Sequence, residues 1–176
     1  MKLSAALLAT GVLSAASAFA APGLDVKTAH LESRAPVITC NPKLQGDKAK
    51  KPYQVDEATA RAQAKVAGPF SIDKAPKSGF PHRFHNGEKI HFNIADCDKE
   101  EATLWEYPIY WVDKKVGKKA AVWNIQTKKK DQPGGPTPIR VVYSGEPGHI
   151  HYCGVMVHSE VNKDGEATAK TFDKCP

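Results

Sequence analysis

Apolar and polar positions alternate along the chain in a pattern that predicts one helix and a series of strands. The segment 56–68 is rich in alanine, with Asp56 as an N-cap, Glu57 at the positive end of the helix dipole and Gly68 as a stop. The other apolar runs have strand character, and proline and glycine clusters separate them: 89–94, 104–112, 122–126, 139–143 and 149–158. One helix followed by successive strands is typical of an α+β domain with an antiparallel sheet.

Two short apolar runs upstream of the helix predict an N-terminal β-hairpin. Residues 37–40 and 53–55 would form its arms around a lysine-rich loop. The segment 35–176 has the length of one domain with a modest core. We therefore expect a single domain in which the helix packs on a central antiparallel sheet.

The N-terminus has the features of a secretory signal peptide over residues 1–20. Lys2 supplies a positive start, residues 3–13 are largely apolar, and Ala18-Phe19-Ala20 has the form of a signal-peptidase site. Residues 21–34 are polar and lack a hydrophobic period, which indicates a propeptide or a disordered segment. No second apolar run approaches membrane-spanning length. We predict a secreted protein without a membrane span.

Charge and cysteine content narrow the class of partner. The chain has a formal net charge of +6, which favours anionic partners such as nucleic acid, acidic glycans or membrane surfaces, although basic charge also serves solubility alone. Four cysteines in a secreted chain predict two disulfides, with three possible pairings. The cysteines lack the close spacing of a zinc site. They are Cys40, Cys97, Cys153 and Cys175.

Three of the predicted strands carry an unexpected ionisable residue. Glu106 lies between two aromatic residues, Arg140 lies among β-branched residues, and His158 ends an apolar run. Side chains alternate between the two faces of a strand, so each of these residues could project from the face opposite the core. A single example would indicate an outward, solvated position. Three neighbouring strands with a carboxylate, a guanidinium and an imidazole instead indicate a base, an anion clamp and an acid for phosphoryl transfer.

The segment 78–88 combines turn-forming residues with aromatic rings, which is typical of a recognition loop that enters a strand. Aromatic faces and a carboxylate suit a pocket for a nucleobase. Guanine presents two adjacent N–H donors that one carboxylate can accept, and sequence-selective RNA recognition acts on such unstacked bases.

These motifs together resemble the secreted fungal guanyl-specific ribonucleases and their relatives, the sarcin-type ribotoxins. The resemblance covers the chain from Cys40 to Cys175 and follows the order of the family. Five short motifs carry it: F-P-H-R-F-H-N-G-E (80–88), L-W-E-Y-P-I (104–109), P-I-R-V-V-Y (138–143), C-G-V-M-V-H-S (153–159) and T-F-D-K-C (171–175).

The resemblance implies catalytic roles for four residues. Glu106 matches the general base that takes the proton of the ribose 2′-OH, and His158 matches the general acid for the departing 5′-oxygen. Arg140 and His82 match the residues that hold the scissile phosphate. The implied activity is cleavage of single-stranded RNA 3′ of guanosine through a 2′,3′-cyclic phosphate, without a metal or other cofactor.

The resemblance also implies a substrate-binding set and a disulfide pairing. Phe84 matches a base-stacking aromatic, Glu88 the guanine-reading carboxylate and Phe172 an aromatic beside the phosphate. The remaining substrate-binding candidates in the same loop are Phe80, His85 and Asn86. The implied disulfides are Cys40–Cys175 and Cys97–Cys153. We expect a monomer whose partner is single-stranded RNA, with ribosomal RNA and a role as a toxin or effector as narrower interpretations.

Three positions depart from the family pattern. Phe80 replaces a tyrosine, which removes a hydroxyl that can hydrogen-bond the phosphate. Gly87 replaces a second stacking tyrosine, which loosens the expected guanine preference. The segment 86–97 is shorter than the lysine-rich loop of the ribotoxins, which argues against ribosome-directed cleavage.

Several interpretations remain open from the residues. The lysine-rich segment 113–130 could grip RNA or another surface, or it could be a solvated hairpin whose lysines discourage edge-to-edge pairing. His149 and His151 alternate on a strand and could face one metal, but no third ligand is nearby in the sequence. The alternative to catalysis is a non-catalytic effector with the same fold that binds RNA or a host protein.

Overall fold

The computed structural model of the protein describes residues 36–68, 76–146 and 148–176. The predicted signal peptide and the segment 21–34 lie outside these residues. Among the described residues, none of the helices has the length and apolar character needed to cross a membrane.

The N-terminal hairpin and the helix are confirmed. Strand β1 (Val37–Cys40) pairs antiparallel with β3 (Tyr53–Asp56), and the loop between them contains the short β2 (Lys43–Leu44). Helix α1 (Glu57–Ala67) begins at Asp56, whose side chain accepts a hydrogen bond of 2.7 Å from the backbone of Thr59. The buried face of the helix consists of three alanines, Ala60, Ala64 and Ala67.

Gly68 follows the last residue of the helix, as predicted, but its backbone conformation is not the one expected. Its backbone is right-handed, with φ of −54°, so the left-handed conformation that usually favours glycine at this position is not used. A Cβ atom on Gly68 would instead lie 2.8 Å from Cγ2 of Ile150. The close approach of α1 to the Ile150 side chain therefore favours glycine at this position.

Five antiparallel strands form the central sheet, in the spatial order β11-β9-β8-β5-β4. They are β4 (His82–Arg83), β5 (Leu104–Pro108), β8 (Ile139–Glu146), β9 (His149–His158) and β11 (Phe172–Lys174). The smaller elements are α2 (Ala95–Asp98), the hairpin of β6 (Lys115–Val116) and β7 (Lys119–Ala120), a 3-10 helix (Lys129–Asp131) and β10 (Glu160–Val161), which pairs parallel with β2. The α+β class and the antiparallel sheet are confirmed.

The two faces of the sheet support two separate apolar clusters. On one face, Tyr107, Val141 and Val155 pack in the same cluster as the alanines of α1. On the other face, Val142 and Met156 pack against the loop that follows β4. Alternation along the strands places Glu106, Arg140 and His158 on this second face. The sheet is thus a platform with its main core beneath and the ionisable residues above.

Two predicted strands are wrong. Residues 89–94 form a loop, because the Asp98 carboxylate accepts the backbone N–H groups of Phe92 at 2.8 Å, Asn93 at 2.7 Å and Ile94 at 3.2 Å. Residues 122–126 form an irregular segment that ends in a turn, and a side chain from outside the segment, Gln132, holds it in place. In both segments a polar side chain takes the backbone groups that a strand partner would otherwise bond.

The two disulfides join Cys40 to Cys175 and Cys97 to Cys153, which confirms the pairing implied by the resemblance. The first bridge links β1 to the residue after β11 across a sequence separation of 135. The second links α2 to β9 across a separation of 56. The bridges therefore tie the hairpin and the loop side of the sheet to the central strands.

We predict that the double substitution Cys40→Ala/Cys175→Ala lowers the free energy of unfolding by about 4–5 kcal/mol, because the bridge closes nearly the whole described domain in the chain-entropy account. Urea unfolding followed by circular dichroism measures this change. Reduction of the wild type should have at least as large an effect, since it opens both bridges. A loss below about 1 kcal/mol would show that the denatured chain is not constrained in this way.

Candidate active site

The pairing register of the central sheet brings the four candidate catalytic residues together. His82 lies directly opposite Glu106 in the β4–β5 pair. Arg140 lies opposite Pro108, two residues along from Glu106, and it also lies opposite Met156, two residues along from His158. Diagonal neighbours on one face of a sheet are within reach of long side chains. Glu106, Arg140 and His158 therefore form a diagonal row across three adjacent strands.

Glu106 is the centre of this group. One carboxylate oxygen, Oε1, lies 3.4 Å from Nδ1 of His82, and the other, Oε2, lies 3.6 Å from Nε of Arg140. Both contacts are longer than a good charge-assisted hydrogen bond, so they are ion-pair contacts. Glu106 is only 6 % exposed. The carboxylate thus sits between two basic side chains with little access to solvent.

Arg140 is fixed by its own backbone neighbours. Its Nη1 donates hydrogen bonds to the carbonyl oxygens of Thr137 at 2.7 Å and Ile139 at 2.9 Å. Its guanidinium carbon lies 5.1 Å from the centre of the Phe80 ring, and the residue is 5 % exposed. These two hydrogen bonds and the contact with the Phe80 ring fix the orientation of the buried guanidinium toward the cleft.

Burial shifts the pKa values of this pair in opposite directions. Desolvation raises the pKa of Glu106 above its ordinary value, although the charges of Arg140, His82 and Lys129 oppose the shift. Desolvation also lowers the pKa of Arg140 to about 10, which leaves the guanidinium charged at neutral pH. The carboxylate is consequently a stronger base than a solvated one.

His158 ends β9 beside an aromatic ring. It lies opposite Phe172 in the β9–β11 pair, and the two ring centres are 4.1 Å apart. Burial, together with the charges of Arg140 and Lys129, lowers the pKa of His158 to about 4, and the backbone of Ala169 opposes the shift. Protonated His158 is therefore a strong acid.

Phe80 lies at the position where the family pattern has a tyrosine, so its ring carries no hydroxyl. Its ring stacks on the imidazole of His82, with centres 4.5 Å apart and planes at 28°. The Trp123 ring packs edge to face with the Phe80 ring, and the two ring centres are 5.7 Å apart. Phe80 thus supports His82 and Arg140 sterically but offers the cleft no hydrogen-bond donor.

A cleft of about 640 Å³ lies above these residues. The strand residues His82, Glu106, Arg140 and His158 form its floor, and Phe172 lies at one side. Residues 166–170 also line the cleft, as do Phe80 and Lys129, whose Nζ lies 5.8 Å from the centre of the Phe80 ring. The cleft is large enough for a phosphodiester and part of the nucleosides that flank it.

The recognition loop is arranged differently from a simple stacking surface. Phe84 is 7 % exposed, and its ring packs into the second apolar cluster with its edge toward Phe172 at 5.8 Å. Asn86 uses its amide within the loop, donating to the carbonyl of Ile90 at 2.9 Å and accepting from its N–H at 2.7 Å. The substrate contacts expected of Phe84 and Asn86 stay predictions, and their observed contacts shape the loop.

Glu88 and His85 remain available to a ligand. Glu88 is exposed, and one of its oxygens accepts the backbone N–H of Phe172 at 3.2 Å, which places the carboxylate beside the aromatic side of the cleft. His85 is also exposed and lines a separate cavity of about 450 Å³ together with Arg83 and Lys89. The loop therefore brings Glu88 near the cleft and turns His85 away from it.

Sequence reasoning missed Lys129 and Trp123 as components of the site. Both belong to the segment between β7 and β8, which tertiary packing brings to the cleft. The run of three lysines was the available signal, but it did not indicate which lysine reaches the cleft. No group of three or more potential metal ligands is assembled among residues 36–68, 76–146 and 148–176, and this includes the surroundings of His149 and His151.

Comparisons with known proteins show the family of the chain and agree with its fold. A family model described as ribonuclease matches residues 41–176. The chain is similar to the solved structure of hirsutellin A from Hirsutella thompsonii, with 48% sequence identity and a TM-score of 0.66 over 81% of this chain and 100% of that one. It also shares the fold of restrictocin, a ribotoxin from Aspergillus, with 23% identity and a TM-score of 0.57 over 80% of this chain and 99% of that one.

A comparison with curated proteins returned no match. The family match extends over more than three quarters of the chain, and it includes every strand of the central sheet and all four residues at the floor of the cleft. The chain therefore belongs to the ribonuclease family.

Proposed function

We propose that this protein is a secreted endoribonuclease that cleaves single-stranded RNA 3′ of guanosine by transesterification, using only its own side chains. One observation carries the proposal: a buried carboxylate, a buried guanidinium and two imidazoles share the floor of one cleft on one face of the sheet. These are a base, an anion clamp and an acid within reach of a single phosphodiester. The similarity to a ribotoxin fold supports a role as a toxin or effector.

In the first step, the Glu106 carboxylate accepts the proton of the ribose 2′-OH, and the 2′-oxygen attacks the phosphorus. The bond between phosphorus and the 5′-oxygen breaks, and His158 donates its proton to that oxygen. Arg140 and His82 bind the nonbridging oxygens while their negative charge grows. The products are a 2′,3′-cyclic phosphate and a free 5′-OH. In the second step, His158 takes a proton from water, whose oxygen attacks the phosphorus of the cyclic phosphate. The bond between phosphorus and the 2′-oxygen breaks, and protonated Glu106 donates its proton to that oxygen, which leaves a 3′-phosphate.

The pKa directions suit these roles. A raised pKa makes ionised Glu106 a better proton acceptor, and a lowered pKa makes protonated His158 a better donor. The anionic phosphate between them would favour the protonated imidazole in the complex. Since Arg140 keeps its charge, it can hold the phosphate over the whole pH range in which the two others exchange protons.

Guanine selection is assigned to Glu88. Its carboxylate beside Phe172 could accept both N–H groups on one edge of guanine, with one oxygen already oriented by the backbone N–H of Phe172. Adenine presents no such pair of donors. The preference depends on this carboxylate because Gly87 supplies no second ring and Phe84 is largely buried.

The alternative function is a non-catalytic effector that binds RNA or a host protein. Two observations favour it. Phe80 has no hydroxyl to hydrogen-bond the phosphate, and the buried Phe84 offers little surface for stacking on a base. The four residues at the floor of the cleft favour catalysis, since binding alone needs no acid and base on opposite sides of one guanidinium.

We predict that the purified, oxidised protein cleaves single-stranded RNA in excess EDTA, and that Glu106→Gln and His158→Gln each lower kcat by about 10²–10⁴-fold. Both variants should keep the unfolding transition of the wild type nearly unchanged. Gel analysis of end-labelled RNA measures cleavage. Absence of cleavage by the wild type, or equal cleavage by wild type and double variant, contradicts catalysis and leaves the binding function.

We predict that kcat/KM for a dinucleoside monophosphate is highest at acid pH. The active free enzyme needs ionised Glu106, whose pKa is raised by burial, and protonated His158, whose pKa is lowered to about 4. Activity should fall as pH rises, because His158 loses its proton well below the ordinary imidazole pKa of about 6.5. Initial rates across the acid and neutral range measure this. A kcat/KM that keeps rising up to neutral pH would contradict the lowered pKa of His158.

We predict that Glu88→Gln lowers the preference for guanine over adenine on the 5′ side of the cleaved bond. The loss should be about 5- to 100-fold in the ratio of kcat/KM values, the usual worth of one bidentate base contact. Glu101→Gln, an exposed carboxylate on another part of the surface, is the control and should not change the ratio. Matched guanosine and adenosine dinucleotides provide the measurement, and an unchanged ratio in Glu88→Gln rules out this assignment.

A further inference from the structure

The lysine-rich segment contributes one specific side chain to the cleft. Nζ of Lys129 lies 5.8 Å from the centre of the Phe80 ring, over which the Arg140 guanidinium also lies at 5.1 Å. Lys129 lines the cleft, whereas its exposed neighbours Lys128 and Lys130 do not. The Phe80 ring, which lacks a hydroxyl, is therefore accompanied by two cations.

The turn that carries Lys129 is held by a buried side chain. Gln132 is 5 % exposed, and its amide donates to the carbonyls of Asn124 at 2.7 Å and Thr127 at 2.8 Å. Its oxygen accepts the backbone N–H of Asn124 at 2.8 Å. Both N–H groups of the amide and its oxygen are thus used to fix the backbone that precedes the 3-10 helix.

The far end of the same turn is anchored to the sheet side of the domain. The Tyr110 hydroxyl donates to the carbonyl of Gly135 at 2.6 Å. A Cβ atom on Gly134 would lie 2.6 Å from the Tyr110 ring, so the turn packs directly on that ring. Lys129 therefore extends from a fixed backbone position and not from a solvated hairpin.

The charge of Lys129 reaches both proton-transfer residues. It lowers the pKa of Glu106 and also that of His158, and Lys128 and Lys130 contribute to neither. An ammonium group that acts on the base and the acid together lies close to where the phosphate between them must bind. This agrees with the position of Lys129 along the cleft.

We propose that Lys129 is a phosphate-binding residue of the active site that contacts the scissile phosphate in place of the hydroxyl that Phe80 lacks. The inference rests on the proposed ribonuclease function. A lysine ammonium has three donors and a full positive charge, so it can supply the hydrogen bond that a phenol would give. Its benefit is largest in the transition state, where the phosphoryl oxygens gain negative charge.

The first test compares Lys129→Gln with Lys130→Gln on a guanosine dinucleotide, which carries a single phosphate. Lys129→Gln should lower kcat/KM by about tenfold or more, chiefly through kcat, because it removes one charge-assisted contact to the reacting phosphate. Lys130→Gln removes the same charge from the neighbouring residue and should change kcat/KM by less than about twofold, the effect of an exposed, screened charge. Equal effects of the two substitutions overturn the proposal.

The second test restores the missing hydroxyl. In the Phe80→Tyr background, Lys129→Gln should cost less than in the wild type, because the phenol and the ammonium serve the same phosphate. Additive losses in this double-mutant cycle overturn the idea of replacement. The cycle is measured on the same dinucleotide, with unfolding curves to confirm that each variant folds.

A third measurement is independent of turnover. Titration of inorganic phosphate, followed by the NMR signals of His158, should show weaker binding in Lys129→Gln than in Lys130→Gln and the wild type. In the phosphate-free protein, Lys129→Gln alone should raise the pKa of His158. If the wild type cleaves no RNA, the proposed function fails but this titration still decides the role of Lys129. If the wild type cleaves and both lysine variants behave alike in turnover and titration, only the present inference fails.

Discussion

The antiparallel register of β5, β8 and β9 is the constraint on which the rest of this structure depends. Pairing of Pro108 with Arg140, and of Arg140 with Met156, sets Glu106 and His158 on either side of one guanidinium. A slip of one residue in either pair would move a member of the group to the opposite face of the sheet, into the core beneath α1. The apolar residues that alternate with these three prevent such a slip, because they must face α1 or the loop cluster. Core packing and active-site geometry are therefore specified by the same pattern.

Burial of Glu106 and Arg140 opposes folding and favours the proposed chemistry. Removing the two ions from water costs on the order of several kcal/mol for each ion. Their attraction across 3.6 Å, without a direct hydrogen bond, offsets only part of this cost. Oε2 of Glu106 and Nε of Arg140 have no hydrogen-bond partner among residues 36–68, 76–146 and 148–176. A phosphate bound above them would interact with charges that need little reorganisation on binding. The apolar clusters on both faces and the two disulfides supply the stability that this arrangement requires.

Two loops, the one after β4 and the one between β7 and β8, determine which side chains surround the floor of the cleft. The loop after β4 buries Phe84 and uses Asn86 internally, so that Glu88 is left to face the ligand side. The segment between β7 and β8 uses Gln132 to hold its turns and presents Lys129 to the cleft. Both loops are shaped by a buried or half-buried polar side chain, and each places an exposed charged residue near the cleft. Differences in substrate preference within such a fold can therefore arise without changes to the floor of the cleft.

Local sequence determined the elements whose signals are local. The alanine-rich helix with its Asp56 cap, the N-terminal hairpin and β9 were predictable because capping, propensity and alternation act over a few neighbouring residues. The strands wrongly predicted at 89–94 and 122–126 have similar apolar patterns, but Asp98 and Gln132 bind their backbone groups instead. Whether Phe84 is a stacking surface or part of a core, and which of three lysines reaches the cleft, depended on how distant segments pack. The sequence by itself thus determined which chemical groups the chain carries and on which strands, and only the tertiary structure decided their distances, their burial and hence their pKa values.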